Sequence, residues 1–135
     1  EQMLLAHMMN SMEVAEKVRI ELGGHFSKDE FHALAAYLYG FYEEGNPPDA
    51  GAFIHRLPDK KLMQTASEIA MIPIDEDVSE QELADYIHQV KNYPIWLEIE
   101  ELEKERQVAE KGQNPEEAAR IAMKILEKKR EIRKS

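Results

Sequence analysis

Apolar residues return every three or four positions along most of the chain, and nowhere do they alternate with polar ones over a strand's length, so the pattern predicts helices throughout. Gln2 to Met9 is a short apolar helix with Leu4, Leu5, Met8 and Met9 inward. A second runs from Met12 to Leu22, with Val14, Val18 and Leu22 at four-residue spacing, and Gly23-Gly24 ends it. Ser27 to Glu30 reads as a capping box for the helix with the cleanest period, Phe31, Leu34, Ala35, Leu38, Phe41 and Tyr42, which is expected to form the core of the first subdomain. Asp49 caps a short helix to Leu57. Asp59 caps the next, whose face is Leu62, Ala66, Ile69 and Ala70. Ser79 to Glu82 is a second capping box. It launches a helix with Leu83, Tyr86, Ile87 and Val90 inward, which Pro94 is expected to break or kink, with Trp96 and Leu97 packing back to pin the bend.

Two further helix-forming runs flank Gly112-Gln113-Asn114-Pro115. Gly112 suits the position after a helix end, Asn114 caps the next helix, Pro115 fits its first turn and Glu117 stands three after the cap. The result is a helical hairpin with arms of roughly 25 and 30 Å. Five glutamates (Glu98, Glu100, Glu101, Glu103, Glu105) open the first arm against Lys104, and six cations (Lys124, Lys128, Lys129, Arg130, Arg133, Lys134) close the second against Glu127 and Glu131. Antiparallel arms set these opposite charges side by side. At about 100° per residue, Ala118, Ala119, Ile121, Ala122, Met123, Ile125 and Leu126 sweep roughly 200° of the second arm, against the roughly 100° that one neighbour covers. Beyond Leu102 the first arm offers only Val108 and Ala109. Part of the surface is therefore either an uncovered docking strip or is covered by residues 1–93. The predicted fold class is all-α: a six-helix bundle subdomain over 1–97, then an antiparallel hairpin over 98–135, joined through a long kinked helix.

Composition narrows the function. A chain of 135 residues, 43% hydrophobic, buries one good core and a small appendage. The absence of cysteine excludes disulfides and thiolate metal sites and agrees with a reducing, cytoplasmic setting. No run approaches the ~20 apolar residues of a membrane span. Glu1 opens the chain inside a predicted helix, so a longer parent protein is expected, with any chemistry in a preceding part. A net charge of −10 disfavours a phosphate backbone as partner, and the single basic cluster lies in the last twelve residues. His7, His25, His32, His55 and His88 fall on five different elements or connections without a zinc spacing, Gly23-Gly24 lacks the Lys-Ser/Thr of a phosphate loop, and Asp75-Glu76-Asp77 lacks the spaced oxygen ligands of a cation loop. The residues predict no enzyme, no metal and no cofactor.

Several blocks carry a family likeness. MLLAHMM (Met3–Met9), ALAAYLYGFYEEG (Ala33–Gly45), DVSEQELADYIHQV (Asp77–Val90), the junction Pro94-Ile95-Trp96-Leu97 and AARIAMKI (Ala118–Ile125) together closely resemble, in order and over nearly the whole chain, the C-terminal helicase-binding domain of bacterial DNA primases. The resemblance implies a six-helix subdomain followed by a helical hairpin that docks on the N-terminal domains of the hexameric replicative helicase, recruits primase to the fork and stimulates the helicase. It also implies that the zinc-binding and RNA-polymerising domains precede this segment in the parent nucleotidyltransferase. The chain departs from the family pattern at the turn, Lys111 to Glu117, and in the last ten residues.

Docking through the hairpin makes Ile121, Ile125, Leu126 and Ile132 the expected apolar anchors, with Val108 opposite and Lys128, Lys129 and Arg130 as rim charges. The alternative is a helical nucleic-acid-binding domain that uses the basic end of the hairpin.

Overall fold

The computed structural model describes residues 1–75 and 77–134, apart from the Lys134 side chain. Glu76 of the acidic linker and Ser135 of the basic cluster lie outside the described residues. Among the described residues the chain is all-α, without a strand: α1 (Gln2–Asn10), α2 (Met12–Leu22), α3 (Asp29–Glu43), α4 (Ala50–His55), α5 (Lys60–Ala70), α6 (Glu80–Lys111) and α7 (Pro115–Lys134). Two compact units result, Glu1–Lys91 and Asn92–Ser135, and the division falls inside α6. Pro94 cannot donate to the Val90 carbonyl, yet of the two expected outcomes, a break or a kink, the break does not occur: α6 is one long helix through it.

The first unit is organised around α1, not α3. Its residues Leu4 to Met9 are all buried, and it packs against α2, α3 and α5. A helix buried on every side belongs at a centre, whereas α3 buries a single stripe, Phe31, Leu34, Ala35, Leu38 and Phe41. Leu83, Ile87 and Val90 add the first turns of α6 to the same core. Polar groups in it are satisfied. The His7 ring stacks on Tyr86 with centroids 5.9 Å apart, the Tyr42 hydroxyl donates to the Met8 carbonyl at 2.6 Å, and Tyr39 donates to Gly23 at 2.8 Å. Ala70, expected on the inward face of α5, is exposed.

Ahead of the hairpin turn, three of the expected side-chain caps form. Asp49 accepts from the Ala52 amide at 3.1 Å, Asp59 from Leu62 at 2.8 Å, and Ser79 from Glu82 at 3.0 Å. The capping box at Ser27 does not. Lys28 takes the cap position of α3 without a side-chain bond, because Ser27 is held instead by the Glu1 carboxylate. Glu30, the other half of the expected box, is engaged by Lys61 at 3.0 Å and Thr65 at 3.1 Å. The Lys61 hydrogen bond, then that of Thr65, holds its carboxyl below the usual range.

The hairpin turn is displaced by one residue from its expected form. Asn114 caps α7 by accepting from the Glu117 amide at 3.2 Å. The left-handed position after α6 is taken by Gln113 (φ 55°), not Gly112. The Asn114 amide donates to Ala109 at 2.9 Å and the Gln113 amide to Glu110 at 3.1 Å, the paired bonds of a Schellman ending. A non-glycine residue in that region is strained by about 1 kcal/mol. Gln113→Gly is therefore expected to stabilise the hairpin by about 0.5–1 kcal/mol, read as slower hydrogen exchange of its amides.

Burial raises the pKa of Tyr39 and of Tyr42 from an ordinary 10 to about 12. A neutral acid stabilised in the folded state contributes stability that is fully present below pH 10 and is lost as pH rises towards 12. Alkaline titration followed by phenolate absorbance should show two late-titrating tyrosines, one of which disappears in Tyr42→Phe, with helicity falling over the same interval.

Candidate docking surface on the helical hairpin

The hairpin closes on an isoleucine ladder. Ile121, Ile125 and Ile132 lie at spacings of four and seven on one stripe of α7, and they meet Ile99 of α6, with Ile95, Leu102 and Ala109 packed alongside. Relative exposures of 3%, 5% and 7% remove Ile121, Ile125 and Ile132 from the set of surface anchors. The expectation failed because it weighed the incoming arm only beyond Leu102. Ile99 and Ile95, about one and two turns earlier, supply the missing cover.

Leu126 lies outside the ladder. It is 50% exposed, and about 100° of helix turn separates it from Ile125. The same arithmetic puts Arg130, Lys129 and Arg133 within roughly 60° of Leu126, and all three are exposed. Arg133 was absent from the expected rim, although its spacing of seven from Leu126 marks it in the sequence. Val108 is 71% exposed and takes no part in the ladder, and Met123 also faces outward. Trp96 and Leu97, expected to be packed away, are each close to half exposed.

Lys128 is a clasp between the arms rather than a rim charge. Its Nζ lies 2.8 Å from Glu98 Oε2, the charge pairing that antiparallel arms predict, and that hydrogen bond raises its pKa above the usual ammonium value. Among the described residues, the other ion pairs of the hairpin stay within one arm. Arg106 meets Glu103 at 2.8 Å and Glu110 at 2.6 Å, and Arg120 pairs with Glu117. Among the described residues no three His, Asp or Glu side chains gather as metal ligands would, and no helix is long and apolar enough to cross a membrane.

No family model matches the chain. A DNA primase of Geobacillus stearothermophilus is 47% identical over 135 residues, all of this chain and 22% of that protein. A DNA primase of Halalkalibacterium halodurans is 47% identical over 103 residues, 76% of this chain and 17% of its own length. The chain is a DNA primase segment. A more distant primase, from Listeria monocytogenes, is 28% identical over 98% of the chain and shows the same proportion, 21% of its length. The segment thus spans about a fifth of the curated primases it matches.

Within this primase segment the apolar residues of α7 divide into an interior set, led by Ile125, and an exterior one, led by Leu126. Adjacent positions separate the two roles. Ile125→Asp should cost the hairpin more than about 3 kcal/mol, since it buries a charge where a ladder side chain stood. Leu126→Asp should change stability by less than about 0.5 kcal/mol. Hydrogen exchange of the amides from 95 to 134 reads the hairpin separately from the bundle: protection is expected to collapse in the first variant and persist in the second.

Proposed function

We propose that this segment is the helicase-binding module of a bacterial replicative primase, non-catalytic in itself, whose hairpin docks on the N-terminal domains of the hexameric replicative helicase. It would act in the cytoplasm at the replication fork, bringing the RNA-polymerising part of its parent chain to newly unwound strand and stimulating the helicase. The reading rests on the likeness to helicase-binding primase domains, now joined by primase relatives that match over the whole chain. The observation that carries it to the hairpin is Leu126, a half-exposed apolar side chain flanked by Lys129, Arg130 and Arg133 on a unit whose core is already filled. Surplus apolar surface on a closed unit costs solubility and gains nothing internally, and a cationic rim orients an encounter with a partner.

Gel filtration of the chain with and without the hexameric helicase tests the proposal. Co-elution is expected for the wild type. Leu126→Asp should weaken binding at least tenfold, as truncation of an anchor worth about 2 kcal/mol does, with the hairpin still protected from exchange. Absence of co-elution would sink the proposal. Salt-sensitive binding of DNA in its place would favour the nucleic-acid alternative, since contacts to phosphate weaken steeply with salt.

A further inference from the structure

The other side of the hairpin has the opposite chemistry. A groove of about 660 Å³ runs between the arms, with Leu97 and Leu102 presenting apolar surface to it. Four carboxylates (Glu98, Glu101, Glu127, Glu131) line it against two ammonium groups (Lys124, Lys128), a net of −2. Lys128 is committed to Glu98 at 2.8 Å and has Glu131 and Glu127 as further electrostatic neighbours, while Glu101 meets Lys104 at 3.5 Å outside the lining, so the acidic excess of the groove rests chiefly on Glu127 and Glu131. Glu127 and Glu131 stand four apart on α7, so they occupy one face a single turn apart.

An apolar channel with an acidic border suits a ligand of complementary pattern. We propose that this groove receives an amphipathic helix of the partner protein that inserts apolar side chains between the arms and carries lysine or arginine at its flanks. Apolar anchors give such a contact its strength, and the acidic border sets its register and excludes helices with acidic flanks. The inference rests on the docking function proposed above and adds the chemistry of the docked element. It also means that the two sides of the hairpin select differently: the Leu126 side, with its cationic rim, favours acidic surface, and the groove favours basic.

Position helps the test. The single tryptophan, Trp96, is half exposed and precedes Leu97 in the chain but is not part of the groove lining, so its fluorescence detects binding and the amide shifts locate it. Two synthetic amphipathic helical peptides with the same leucine pattern, one flanked by lysine and one by glutamate, would be titrated against the whole chain, with amide chemical shifts followed in parallel. The expected result is at least tenfold tighter binding of the lysine-flanked peptide, with shift changes confined to the groove segments 97–102 and 124–131. Glu127→Lys with Glu131→Lys should abolish that preference. Equal binding of both peptides, or shift changes on α7 with none in 97–102, would overturn the inference. So would concentration-dependent shifts at the groove without peptide, which would make a second copy of the chain the occupant. Because the peptides stand in for any partner, the result is independent of whether the helicase binds. A chain that takes the lysine-flanked peptide but not the helicase loses the proposed function and keeps the groove. A chain that binds helicase equally well with and without the two glutamate reversals, and discriminates neither peptide, keeps the function and loses the groove.

Discussion

A two-helix hairpin has one internal interface, and whatever apolar surface that interface consumes cannot also meet a partner. In this chain the interface is the isoleucine ladder: Ile121, Ile125 and Ile132 of α7 against Ile99 of α6, with Ile95, Leu102 and Ala109 beside them. Each buried side chain contributes about 1.5–3 kcal/mol, and a unit this small has few others to draw on. The ladder therefore sets what is left outside. It fixes the rotation of α7, and with it the outward position of Leu126 on one side and of Glu127 and Glu131 on the other.

Charge acts at a lower energy and a different level. The Glu98–Lys128 contact joins the arms at the end where the sequence places acid against base, but both side chains are partly exposed, so solvent screens the pair and its contribution is small. That is too little to hold the arms together against loss of the ladder. It is enough to favour one register of two otherwise similar helices, and it uses up a cation that would otherwise lie on the surface. The same holds in the bundle, where the buried run of α1 supplies the core and the Tyr42–Met8 and Tyr39–Gly23 hydrogen bonds specify how neighbouring elements meet it.

Helix existence was legible in the residues because periodicity and caps are local. Asp49, Asp59, Ser79 and Asn114 act on amides three residues away, and nothing distant competes for them. Ser27 shows where local reasoning ends: its hydroxyl has a partner 26 positions away in Glu1, and Glu30 has partners on α5. The centrality of α1 was hidden for a related reason. A nine-residue helix buried on every side has no amphipathic period to read, while α3, with a clear one, owes that clarity to having a solvent side. At the candidate site the arc of apolar residues on α7 was visible, but how much of it the partner arm covers depends on which turns of α6 lie opposite. Ile95 and Ile99 decide that, and they stand before the stretch from which the cover was counted.

The division of α7 into inside and outside has a consequence for recognition. Had Ile121, Ile125 and Ile132 been the docking anchors, the free segment would expose a broad apolar face, and binding would have to be coupled to shielding that face from other chains. With the ladder closed, the hairpin is complete in the isolated chain, and the proposed docking carries no cost of ordering it. In the docking proposed above, affinity comes from small, separated apolar sites, Leu126 on one flank and Leu97 with Leu102 on the other, each too small to bind tightly by itself. Selectivity passes to the charges around them. Lys129, Arg130 and Arg133 border the first site, and Glu101, Glu127 and Glu131 the second, so a partner that suits one flank is repelled by the other. Opposite rims on one rigid hairpin thus give it a polarity that a uniformly greasy surface could not supply.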